Sequence, residues 1–225
     1  MKTRLIIPMA IALVATSFGG AALASEGATT ENSGGIITVG LYQEPDNLNP
    51  YLAAQTASEL VRTVALEGLL DADPEGNYIP ILAEVVPTVE NGGISEDGLT
   101  ITYTLKEGLL WSDGTPLTSA DVKFTWDSIM DPANAVNSQT GYDQIASIHT
   151  PDDRTVVLNF KELYAPAFSL FGVKDAVLPK HVLEGQAFDN PDYSRAPLGT
   201  GPFKFTQWTS GDSIIVDRNE NFRDA

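Results

Sequence analysis

An α/β or α+β fold with a mixed sheet is predicted by three features of this sequence. Leu99-Thr100-Ile101-Thr102-Tyr103-Thr104-Leu105 alternates apolar and polar residues without a break, the pattern of a half-buried strand. Arg154 to Phe160 alternates again, with Val156, Leu158 and Phe160 on one face. Between them Val122, Trp126, Ile129 and Met130 recur at helical spacing. Hairpins mixed with helices, in place of a regular strand–helix repeat, fix the class.

The elements follow in order. Lys2 and Arg4 precede an apolar run from Leu5 to Phe18, and Ala22-Leu23-Ala24 ends a small-residue stretch before Ser25. That is the three-part layout of a cleavable export signal, and its apolar core is shorter than a membrane span. Its removal takes Lys2 and Arg4 and no acid, which moves the formal net charge from −17 to −19. Ser25 to Gly35 reads as a flexible leader. Ile36 to Leu41 is β-branched and short, the signature of a buried strand. Pro45 and Pro50 bracket a rigid non-helical segment. A helix follows, with Thr56 or Ser58 as its cap, Leu60, Val61, Val64 and Ala65 on its buried face, and Gly68 as its stop.

Asp71 to Asn77 is a turn cluster. Its alternating acids imitate a calcium loop, but Leu82 stands where the closing bidentate Glu is required. Ser112-Asp113-Gly114-Thr115-Pro116 is a turn, and Thr118 with Asp121 has capping-box spacing before a helix that Asp131-Pro132 ends. Residues 134–145 carry no clear period. Ala165 to Val173 reads as a short helix or buried loop, and Leu178 to Val182 leads into another short helix. Phe203–Trp208 and Ser213–Asp217 flank Thr209-Ser210-Gly211-Asp212, a hairpin.

Composition excludes several chemistries. With no cysteine the chain has no disulfide, thiolate metal site, thiol nucleophile or lipid-modified cysteine. Thirteen basic residues against 30 acidic ones disfavour nucleic acid as a partner. His149 and His181 lie beside turns, without a metal-ligand partner at helical spacing, and read as surface or capping residues. Gly199-Thr200-Gly201 begins like a dinucleotide fingerprint, but Pro202-Phe203-Lys204 follows where a helix and third glycine are needed. No catalytic residue, metal site or cofactor is predicted.

Four stretches together carry a resemblance. Glu44-Pro45-Asp46-Asn47-Leu48-Asn49-Pro50 is the first; Leu66-Glu67-Gly68-Leu69-Leu70 with Pro80-Ile81-Leu82-Ala83-Glu84 is the second. Leu105 to Val122, containing Trp111-Ser112-Asp113-Gly114-Thr115-Pro116, is the third and most specific. Pro197-Leu198-Gly199-Thr200-Gly201-Pro202-Phe203 with Arg218-Asn219-Glu220-Asn221-Phe222 is the fourth. In order and spacing they resemble the family 5 bacterial solute-binding proteins of ABC transporters, the oligopeptide-, dipeptide- and nickel-binding group.

The resemblance implies a periplasmic-binding-protein-like α/β fold with a mixed sheet. Residues 36–70 would be the first segment of lobe I, 71–196 an extra small α/β domain and 197–225 the return to lobe I. The opposing lobe would be missing, because family members run on past this point, so the chain is expected to be an N-terminal fragment or truncated product. It implies an exported substrate-binding component of an importer, a periplasmic monomer and not a lipoprotein. Such a protein captures peptides, or a nickel chelate or sugar, and delivers them to an inner-membrane permease. The alternative is an exported hydrolase acting on peptides or glycans, which would need a converging acid–base pair.

Positions just after Pro50 hydrogen-bond the ligand main chain in the peptide binders. By position these are Ala54, Gln55 and Thr56 here, with a simple helix cap at Thr56 as the other reading. The third stretch reads as scaffold. Tyr142, in the irregular stretch before Ile145, is a weaker ligand-binding candidate as an aromatic cleft wall, against core packing or surface exposure.

Overall fold

A computed structural model describes residues 35–172 and 175–224. The expected export signal (1–24) and nearly all of the leader (25–35) lie outside them. The chain falls into two units, Met1–Val39 and Gly40–Ala225. The strand expected over Ile36–Leu41 is absent: these residues have no ladder partner among the described residues, and Ile36 is 97% exposed. A β-branched run becomes a strand only when a neighbouring backbone takes its hydrogen bonds. None of the described helices is long and apolar enough to cross a membrane.

In the second unit, α1 (Thr56–Arg62) follows the proline-bracketed segment. A small hairpin of β1 (Leu70–Ala72) and β2 (Tyr78–Pro80) closes around the acidic turn. There Asp73 accepts both the backbone and side-chain N–H of Asn77, so this carboxylate shapes a turn. The central sheet is β3 (Thr100–Thr104), β5 (Thr155–Phe160) and β4 (Ile145–His149), in the order β3-β5-β4. Ile101 faces Leu158 and Tyr103 faces Val156, which puts both alternating stripes on one buried face. β6 (Phe203–Thr209) and β7 (Ser213–Arg218) form the expected hairpin. The α/β class is as expected, although every pairing between the named strands is antiparallel, whereas a mixed sheet was expected.

Helix α2 (Ser119–Met130) covers the sheet. The Asp121 carboxylate takes the Thr118 amide at 2.8 Å, the back-reach of a capping box. Its buried face is Val122, Thr125 and Ile129, while Trp126 and Met130 sit at the margin of the core. Thr125 replaces an apolar residue there because its hydroxyl donates to the Asp121 carbonyl and accepts the Leu178 amide, each at 2.8 Å.

Two short helices complete the unit. α3 (Lys180–Leu183) is where the sequence places one. α4 (Pro191–Arg195) was not expected, although Asn190 caps it and Pro191 opens it in the ordinary way. One apolar core runs from Tyr51 to Tyr193.

The glycine-containing stretches are points of backbone contact. Gly201 N–H donates to the Ala65 carbonyl at 2.8 Å, and Leu69 N–H donates to the Phe171 carbonyl at 2.5 Å. A Cβ on Gly172 would lie 2.6 Å from the Leu70 carbonyl oxygen. Gly199-Thr200-Gly201 thus lies against the end of the α1 region and leads into β6, with no phosphate cradle. The third and fourth stretches are joined directly: Ser112 N–H donates to the Gly199 carbonyl at 2.9 Å, and Asn221 Nδ2 donates to the Ser112 carbonyl at 3.2 Å.

Candidate functional site

The segment from Glu44 to Ser58 is held in shape by a mixture of side-chain and backbone bonds, as an irregular segment requires. Asn49 is buried: its Nδ2 donates to the Phe188 carbonyl at 3.1 Å and its Oδ1 accepts the Tyr51 amide at 3.0 Å. The Leu48 amide donates to the Ser194 carbonyl at 2.7 Å. Tyr51 Oη donates to the Ala176 carbonyl at 2.8 Å, and the Tyr51 carbonyl accepts the Asn137 amide at 2.9 Å. Glu44 accepts Trp208 Nε1 at 2.8 Å and the Gly211 amide at 3.0 Å, which ties the segment to the β6–β7 hairpin. The Trp208 hydrogen bond, joined by that amide, holds the Glu44 carboxyl below its usual range.

Of the candidate ligand residues, Ala54 and Thr56 are exposed and Gln55 is half-buried. Gln55 occupies the N-cap of α1 in an extended conformation, φ −94° and ψ 142°, and its side chain caps nothing. It instead accepts from Gln43 Nε2 at 2.7 Å. The expected cap at Thr56 or Ser58 is therefore corrected. Ser58 lies inside the first turn, and its hydroxyl donates to Asp46 Oδ1 at 2.5 Å. The buried face of α1 also differs from expectation, since Ala57, Ser58 and Arg62 are buried and Leu60 is exposed. Seven residues are too few for a periodicity argument to fix the rotation of a helix.

Tyr142 stands in the core, 2% exposed, and does not join Ala54, Gln55 and Thr56 at the surface. Its ring packs edge-on against Tyr51 and Phe171. Its hydroxyl donates to Asp175 Oδ2 at 3.1 Å and accepts the Phe171 amide at 3.0 Å. Burial, and then the nearby Asp175 charge, drive its ionisation far above the usual range. Removing the hydroxyl in Tyr142→Phe strands a buried amide, and we expect a loss of about 2 kcal/mol. For a chain of this size that is a Tm lower by roughly 4–8 °C. A melt unchanged within a degree would argue against this anchoring role.

The sequence reading missed a charged cleft beside α1, lined by Arg62, Thr63, Leu66, Glu67, Gly68 and Asp175. Arg62 is only 7% exposed. Burial lowers its ionisation, while Glu59 and Asp175 pull it back up. Nothing in the local pattern marked Arg62 as buried, because Asp175, its acidic neighbour across the cleft, lies more than a hundred residues away. Elsewhere, His181 Nε2 lies 2.9 Å from Asp113 Oδ2 and His149 Nε2 lies 3.3 Å from Ser147 Oγ, both in exposed settings. The described residues hold no group of three acids or histidines able to take a metal ion.

This antiparallel α/β architecture matches the first part of periplasmic-binding-protein structures. The oligopeptide-binding protein AppA of Bacillus subtilis, solved in complex with a nonapeptide, superposes with a TM-score of 0.72 at 25% identity, over 80% of this chain and 35% of that one. Residues 77–225 match the model of the bacterial extracellular solute-binding proteins, family 5, and the chain belongs to that family. Protein XP55 of Streptomyces lividans is 30% identical over 98% of this chain and 40% of its own length. The oligopeptide-binding protein OppA of Bacillus subtilis is 26% identical over 98% of this chain and 42% of its own. The chain thus spans about two fifths of the curated relatives that it matches.

Proposed function

We propose that this chain forms one jaw of an exported substrate-binding component of an ABC importer, which captures peptides or related small solutes and hands them to an inner-membrane permease. The carrying observation is the Ala54–Thr56 edge. Ala54 and Thr56 are exposed there and Gln55 is extended just ahead of α1, so the main-chain groups not already bonded within the chain can pair with a peptide main chain as an added strand would. Export through residues 1–24, a periplasmic location and the lobe boundaries at 36–70, 71–196 and 197–225 belong to the same proposal. Lobe closure on the ligand would select the state that the permease recognises.

Tyr142 contributes from below, by supporting Tyr51 three residues ahead of the edge. A jaw alone supplies only part of the contacts, so we expect this chain to bind a tripeptide pool weakly or not at all. A product extended to the length of its relatives should bind tightly. Titration calorimetry on both compares them directly, and tight binding by the 225-residue chain alone would overturn the two-jaw reading.

A further inference from the structure

We propose that Asp46 is the positioning residue of the Ala54–Thr56 edge, a role that rests on reading that edge as the ligand-facing one. Twelve residues separate Asp46 from Ser58, yet the two close a ring. Ser58 Oγ donates to Asp46 Oδ1 at 2.5 Å and accepts the Asp46 amide at 3.2 Å. The same Oδ1 takes the Asn47 amide at 2.9 Å, while Oδ2 takes the Ala54 amide at 3.4 Å. Ser58 is fully buried, so its hydroxyl depends on a partner from the protein. One carboxylate therefore fixes the start of the proline-bracketed segment, the first residue of the edge and the first turn of α1. Gln43 adds a second tie, to Gln55.

An aspartate is needed at this position because three donors on two separate oxygens require two acceptors. An asparagine has only one. Burial opposes ionisation of Asp46, but these hydrogen bonds outweigh it and hold the carboxyl below its usual range. The consequence is preorganisation. An edge already fixed before the ligand arrives loses less conformational freedom on binding.

Amide hydrogen exchange on the ligand-free chain tests this. In Asp46→Ala the amides of Asn47, Ala54 and Glu59, the last bonded to the Gln55 carbonyl, should exchange roughly ten-fold faster or more. The amides of Leu105 and Phe160, bonded to the Arg154 and Leu99 carbonyls, should keep their rates. Asp46→Asn should restore protection at Asn47 and leave Ala54 fast, and Ser58→Ala should speed Ala54 and Glu59. Unchanged rates at all three sites, or an equal increase at Leu105 and Phe160, would overturn the proposal. So would full rescue of Ala54 by asparagine. The readout needs no ligand, so a chain that fails to bind peptide leaves this result standing.

Discussion

Gly199→Ala should cost about 3 kcal/mol, near the upper end for forcing a methyl group into packed space. The added Cβ would fall on the Ala65 carbonyl oxygen and crowd the Leu66 side chain. That carbonyl cannot turn away cheaply, because it accepts the Gly201 amide, and the Gly199 carbonyl is itself held by Ser112. The contact is backbone on backbone, so no rotamer change relieves it. Gly211→Ala is the control. Its φ of +74° disfavours a side chain, but nothing lies within 4 Å of the site, and a loss of only about 1 kcal/mol is expected. Urea denaturation compares the two midpoints, and equal effects would mean that Gly199 matters only for its backbone freedom.

Glu67→Ala is expected to destabilise by about 3 kcal/mol. Glu67 Oε2 accepts Arg223 Nη1 at 2.7 Å and Thr200 Oγ1 at 2.8 Å, and Oε1 accepts Arg223 Nη2 at 3.0 Å. The side chains are 12% and 16% exposed, so truncating the acid leaves a guanidinium largely out of water. Their residual exposure places the cost toward the low end for a broken buried pair. A replacement of both by apolar residues should recover most of the loss, since the penalty comes from a guanidinium left with only the exposed Asp224, 3.5 Å from its Nε, as partner. A double-mutant cycle with Arg223→Met measures the coupling. Additive effects would show that the fork contributes nothing beyond its two separate side chains. The paired lysine and aspartate at Lys123 and Asp127 offer a contrast: that exposed pair should be worth less than about 1 kcal/mol.

Glu67 and Gly199 belong to separate family stretches, and their roles explain why those stretches were legible. Leu66 to Leu70, Trp111 to Pro116 and Gly199 to Phe203 are short because each is a junction where backbone meets backbone or a carboxylate meets a guanidinium. Such junctions tolerate few residue types, since a bulkier side chain would push two backbones apart. The alternating stripes of β3 and β5 were equally readable, since a strand with one wet face must alternate. β4 was not, because Ile145 and Ser147 flank a register shift that breaks the period.

The candidate site was legible only in outline. Pro45 and Pro50 announced a rigid exit, and the family resemblance, by position after Pro50, pointed to Ala54, Gln55 and Thr56 as ligand candidates. Asp46 read as one more acid in a loop, and Tyr142 as an aromatic without a period. Their roles depend on Ser58, twelve residues from Asp46, and on Asp175 and Phe171, about thirty from Tyr142. No local pattern encodes those pairings.

Local chemistry, then, was enough to determine the α/β class, the principal strands and the α2 cap, because each follows from short-range sterics or the period of one element. Which face of α1 is buried, whether Ile36–Leu41 pairs at all, and which carboxylate fixes the exposed edge were decided by the tertiary structure alone. These outcomes turn on hydrogen-bond partners supplied from distant parts of the chain, and a partner exists only once the backbone has brought it within about 3 Å.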